Sequence, residues 1–96
     1  MKAFAAPLRI DSAHSALPGH FPGNPVVPGV VLLRGVADAL RQWRGLRLCR
    51  FDAKFLAPLL PDQDARIELQ QDGARVRFTV RRGETVLARG TLEGAS

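Results

Sequence analysis

His20-Phe21-Pro22-Gly23-Asn24-Pro25-Val26-Val27-Pro28-Gly29 packs three prolines and two glycines into ten residues. Proline fixes φ and glycine opens otherwise forbidden angles, so this stretch reads as a rigid, kinked loop. An apolar run follows at once, Val30-Val31-Leu32-Leu33-Arg34-Gly35-Val36-Ala37-Asp38-Ala39-Leu40. Its spacing predicts a helix from about Gly29 to Trp43, with Gly45 as the stop just past its end. A helix opened by Pro-Gly leaves backbone N–H groups pointing out of its first turn. With the positive end of the helix dipole, they form a place for a carbonyl oxygen or an anion. His20 precedes that helix start by a short linker. A base beside such donors suits proton transfer. The first turns of the helix are apolar almost all round, which implies a helix wrapped by other structure.

Beyond the helix the period changes from 3.6 to 2. Cys49, Phe51, Ala53 and Phe55 alternate with Arg50, Asp52 and Lys54, as in a half-buried strand. After an interruption at Ala57-Pro58-Leu59-Leu60-Pro61-Asp62, the residues Ala65, Ile67 and Leu69 alternate with Arg66, Glu68 and Gln70. Asp72-Gly73 then signals a hairpin. Ala74, Val76, Phe78 and Val80 alternate with arginines and Thr79 as far as Arg82-Gly83-Glu84. A last strand runs from about Thr85 to Leu92, where Gly90 marks a bulge or a close approach. Toward the N-terminus, Leu8-Arg9-Ile10-Asp11 reads as a short first strand. Residues 12–19 are small and turn-forming, and His14 among them reads as a polar loop residue. Four successive strands with one apolar face need a cover, and the helix is the only large apolar object available. The expected architecture is α+β, an antiparallel sheet around one central helix, in a single domain spanning 1–96.

The motif His-Phe-Pro-Gly-x-Pro-x-x-Pro-Gly at 20–29 resembles the signature of the hot-dog-fold 3-hydroxyacyl-(acyl carrier protein) dehydratases. Phe51-Asp52-Ala53-Lys54-Phe55-Leu56-Ala57-Pro58 followed by Pro61-Asp62-Gln63 is similar to that family's strand and turn after the central helix. The resemblance covers roughly residues 8 to 93 and is specific between 19 and 33. It implies a hot-dog fold and elimination of water from a (3R)-3-hydroxyacyl thioester, giving the trans-2-enoyl product of fatty acid or related polyketide or polyene synthesis. It further implies an acyl carrier protein as partner, a dimer, and no cofactor. The chain begins close to its first strand, with little room for the N-terminal helix of many members, which suggests a trimmed relative.

Dehydration takes a proton from C2 and gives one to the departing C3 hydroxyl, while the thioester carbonyl gathers negative charge. By the resemblance, His20 matches the catalytic histidine, the N–H of Gly29 fits the carbonyl-binding role, and Gly23 lies in the tight turn. Phe21, Val27, Val30 and Val31 would form the wall that holds the acyl chain. A purely structural alternative has His20 ordering the loop through hydrogen bonds. One departure matters. The family carries Glu or Asp five residues after the motif's last Gly, and here that residue is Arg34. A guanidinium delivers no proton near neutral pH, though Arg34 could hydrogen-bond a substrate hydroxyl or pair with an acid. Asp38, one turn further on the same face, is either the replacement acid or an ion-pair partner of Arg34 or Arg41. In this family the histidine and the acid of one site come from different subunits, so a second hot-dog chain is another source of the acid. Two other classes stay open, a noncatalytic or half-site subunit and a hot-dog acyl thioesterase.

The chain has 96 residues and a formal net charge of +5, with one cysteine and no tyrosine. A lone cysteine makes no internal disulfide, which fits a reducing cytoplasm. No signal peptide or membrane-spanning run is present in the sequence, so a cytoplasmic location is expected. The basic balance favours an acidic partner. Nucleic acid, a carrier protein and mere solvation of a sheet face by arginines are level on composition alone. No helix-turn-helix, zinc-finger spacing or RNA-binding aromatic motif is found, and the His20 motif tips the reading to the carrier, with Arg41, Arg44 and Arg47 as candidate contacts. Binding to an acidic carrier protein should therefore weaken steadily across a salt titration followed by fluorescence anisotropy. Tighter binding to nucleic acid than to a carrier would reverse that choice.

Overall fold

The computed structural model describes residues 2–11 and 26–96. The readings for His14, His20, Phe21 and Gly23 therefore lie outside the described residues. Five strands and one helix follow in the order β1 (Ala3–Leu8), α1 (Gly29–Arg44), β2 (Arg47–Phe55), β3 (Ala65–Asp72), β4 (Arg75–Arg82) and β5 (Thr85–Ala95). The strands form one sheet in the order β1-β3-β4-β5-β2, with every neighbouring pair antiparallel. α1 packs against β1, β3 and β2. A helix that touches both edge strands is enclosed by a curled sheet, which is the hot-dog arrangement expected from the alternating segments. No helix among the described residues is long and apolar enough to cross a membrane.

The core follows from the two periods. α1 buries Val31, Leu32, Val36, Ala39 and Leu40. Every second residue of β3 and β4 meets them, Ile67 and Leu69 on one strand and Val76, Phe78 and Val80 on the other, with Leu87 and Leu92 from β5. Gly45 ends the helix with its N–H donating to the Arg41 carbonyl at 2.8 Å. Both hairpins turn through two residues, Gly73-Ala74 and Gly83-Glu84. Gly73 and Gly83 have φ of 61° and 59°, and positive φ at the first central residue alone is the mark of a type II′ turn.

Two expectations are corrected. The first strand is Ala3–Leu8 rather than Leu8–Asp11. Pro7 lies within this strand, which an edge strand tolerates because a proline nitrogen facing solvent removes no ladder bond. Phe4, Ala6 and Leu8 supply its half-buried face. The second correction is at β2, where the register shifts between Leu48 and Arg50. The bulge puts two residues opposite one, so Leu48 is half-buried and Cys49 is exposed instead of alternating with Arg50.

The outer face of the sheet carries the arginines. Glu93 lies between Arg50 (3.9 Å) and Arg75 (3.7 Å), and Glu68 between Arg66 (3.6 Å) and Arg81 (2.8 Å). Arg77 pairs with Asp72 at 3.0 Å. Solvated pairs of this kind stabilise by about 0–1 kcal/mol each, so they tidy the charge rather than hold the fold.

Gly90 does hold the fold. In register it faces Phe78 on β4 and Ala53 on β2, and a Cβ there would collide with the Asp52 carbonyl oxygen. The close approach read from the sequence is thus between β5 and the backbone of β2. Gly90→Ala should lower stability in urea unfolding by about 3 kcal/mol or more, as overpacking does when backbone is the obstacle. An unchanged midpoint would mean that these strands part at no cost.

Candidate functional site

Pro28 stands at the N-cap of α1 in an extended conformation, with no side-chain cap and no acidic residue in the first turn. The N–H of Val31 donates to the Pro28 carbonyl at 2.9 Å. Among the described residues no acceptor meets the N–H of Gly29 or Val30. An uncapped helix start of this kind keeps two donors and the positive dipole end available to an incoming oxygen.

Beside these donors lies a cleft of ≈ 520 Å³ lined by Val26 to Gly29, Leu32 and Phe55 to Leu59. Every side chain in that lining is apolar. The Phe55 ring closes over the helix start, where a methyl on Gly29 would sit 2.8 Å from its Cζ. The opposite wall is the segment after β2. Leu56 and Ala57 donate their N–H groups to the Leu87 carbonyl, at 2.8 and 3.2 Å, and Val27 donates to the Leu59 carbonyl at 2.8 Å. Arg82 ties the segment from below, with Nη1 donating to the Pro58 carbonyl at 3.0 Å and to Gln63 Oε1 at 3.1 Å.

The residues singled out from the sequence separate into groups. Gly29 and Val27 belong to the cleft. Val31 packs into the core at 6% exposure, and Val30 faces outward at 72%. Arg34 and Asp38 lie on the exposed stripe of α1, about 7 and 13 Å along the axis from Gly29. Neither has a partner among the described residues, even though they are four residues apart and opposite in sign. Arg preceding Asp is the less favourable order on a helix, since each charge then opposes the dipole. Among the helix-end arginines, Arg44 is committed to the Trp43 ring, 4.0 Å from its centroid, while Arg41 and Arg47 are exposed. Sequence reasoning missed Phe55, Leu56 and Leu59 as site walls. The signal was the apolar cluster Phe55-Leu56-Ala57-Pro58-Leu59-Leu60 at the end of a strand, too long to be an ordinary polar turn.

Among the described residues, one helix enclosed by an antiparallel sheet, with an uncapped helix start opening on an apolar cleft, defines a hot-dog protein. The family model of the ApeI-like dehydratases, described as ApeI dehydratase, matches residues 1–91. The chain belongs to that family. It is 34% identical over 77 residues to the 3-hydroxyacyl-(acyl-carrier-protein) dehydratase FabZ of Chloroflexus aggregans, covering 78% of this chain and 44% of the relative. It is also 34% identical over 74 residues to FabZ of Thermus thermophilus, covering 77% and 45%. The chain thus spans about half the length of the curated relatives it matches. In fold it is similar to the dehydratase heterocomplex ApeI:P from Xenorhabdus doucetiae, with a TM-score of 0.84 at 20% identity over 99% of this chain and 88% of that one. It is similar in the same way to a 1,4-dihydroxy-2-naphthoyl-CoA thioesterase from Synechocystis, with a TM-score of 0.69 at 17% identity over 94% and 78%.

Arg82→Ala should loosen the cleft wall without unfolding the sheet. Amide exchange at Val27 and Leu60 should quicken while the amides of β4 keep their protection, since a charged hydrogen bond contributes about 1.5–3 kcal/mol locally. Uniform quickening across the sheet would instead mark Arg82 as part of the global fold.

Proposed function

We propose that the chain dehydrates 3-hydroxyacyl thioesters carried on an acyl carrier protein, acting as one subunit of a hot-dog dimer. His20 takes the proton from C2, the C3 hydroxyl leaves as water with a proton from an acid, and the trans-2-enoyl thioester remains. The Gly29 amide at the helix start receives the charge that builds on the thioester oxygen. The observation that carries the reading is the pairing of an uncapped helix start with an all-apolar cleft, in a chain of a dehydratase family. The apolar walls exclude water, and Phe21 with Val27 would line the path of the acyl chain.

Arg34 favours a particular version. The family's acid position is occupied by a permanent cation, so the second proton has to come from Asp38 or from a partner subunit that keeps an acid. Asp38 stands about 13 Å along the helix from Gly29 and outside the cleft lining, which favours the partner. A dimer itself is supported by exposed apolar surface along one edge. Val30, Phe51, Phe55 and Leu56 are 72, 50, 48 and 45% exposed, and β2 is an open edge strand. Pairing there in antiparallel fashion would bring Arg41 and Arg47 of the second subunit toward the cleft end of this one, where an acidic carrier would dock.

With a 3-hydroxyacyl carrier-protein substrate, the chain alone should be nearly inert, and adding a hot-dog subunit that bears the acid should restore turnover. His20→Ala in that mixture should lower the rate by about 10²–10⁴-fold while leaving the circular dichroism unchanged. Arg34→Glu should raise activity in the isolated chain. Should the isolated chain turn over and Asp38→Asn abolish it, Asp38 is the acid. Full activity of His20→Ala would end the dehydratase reading.

A further inference from the structure

We infer that Arg34, at the family's acid position, is a self-recognition residue that pairs with Asp38 of a second copy of this chain. The inference rests on dimerisation along β2, proposed above, and adds the charge code that selects a like partner. Two observations carry it.

The first is an unmet complementarity. Arg34 and Asp38 are both exposed on one stripe of α1 and have no partner among the described residues, despite their opposite charges and helical spacing. A two-fold interface brings residue i of one copy to residue j of the other and j to i, so a patch with one cation and one anion is complementary to itself.

The second is the level at which the two charges stand. α1 and β2 run side by side in opposite directions. At one end Gly29 meets Phe55, and at the other Leu40 and Leu46 close around Gly94, which is the register partner of Leu48. The midpoint of β2 is Phe51, half-exposed on the helix side of the sheet in register with Leu92. A two-fold axis that pairs β2 with itself at Phe51 therefore passes the helix close to residue 36, halfway between Arg34 and Asp38. That symmetry sets Arg34 of each copy opposite Asp38 of the other, forming two reciprocal pairs. In this form Asp38 is engaged by a guanidinium of the other copy instead of reaching a substrate, so the self-associated chain lacks a free acid at that position.

The test is sedimentation equilibrium on the full chain and three preparations, Arg34→Asp, Asp38→Arg and their equimolar mixture. Each variant alone faces two like-charge contacts and should self-associate roughly 10- to 100-fold more weakly than the parent. In the mixture each contact is again of opposite sign, so a heterodimer of parental strength should form, and it should weaken with salt. Both positions are exposed, and circular dichroism checks that the variants fold. If either does not, Arg34→Gln and Asp38→Asn take their place, with weaker association and a flattened salt response expected. A parent that stays monomeric at all concentrations overturns the dimer and the pairing together. Variants that dimerise as tightly as the parent, or a mixture that fails to recover, overturn the pairing and leave the β2 dimer standing.

Discussion

Two antiparallel strands can approach only as closely as the bulk between them allows, and at one point here that bulk is absent. At Gly90 the backbone of β5 lies against the Asp52 carbonyl, in a space that any Cβ would occupy. The closeness lets β2 swing over the helix as an edge strand while β1 closes from the other side. Phe78, directly across from Gly90, fills the floor beneath α1 and is 1% exposed. Phe55, at the far end of the same strand as Asp52, then seats its ring over the helix N-terminus beside the cleft.

The site combines a helix start without a cap and a helix face without its expected acid. The first leaves backbone donors unmet among the described residues, where they can meet an incoming oxygen. The second changes what the subunit does alone. A guanidinium at position 34 neither donates a proton nor belongs to the cleft, and its exposure directs it toward whatever packs on the helix. On the proposed reading, base and donors would be separated from the acid, and association would become part of the chemistry.

Much of this was legible in the sequence, for identifiable reasons. The helix ends were marked by Pro28-Gly29 and Gly45, and the hairpins by Gly73 and Gly83, because each of these residues answers a backbone requirement that few others meet. The inward faces of β3 and β4 were plain from alternation, since both strands lie mid-sheet with one face on the helix. β1 was misplaced because a proline inside a strand is tolerated only on an edge, and sequence alone does not say which strand is the edge. The exposure of Cys49 was hidden because a bulge exchanges faces without leaving a residue signature. The cleft walls at Phe55 to Leu59 were hidden for another reason. Their apolar character reads equally as core, and only the folded chain distinguishes a residue facing a void from one facing a neighbour. Arg34 stood out because it breaks a pattern at a single position, although where it points was set by the helix phase alone.

The two edges of the sheet differ in a way that bears on solubility. β1 carries Pro7 and is six residues long, whereas β2 runs nine residues with its ladder groups open. One edge is a stub and the other an invitation. Strand addition along β2, if the proposed dimer forms there, would end after one event, because the pair would then present only its two stubs to the solvent. In that dimer, the apolar margin would be covered and open-ended stacking into fibres would have no further edge to build on.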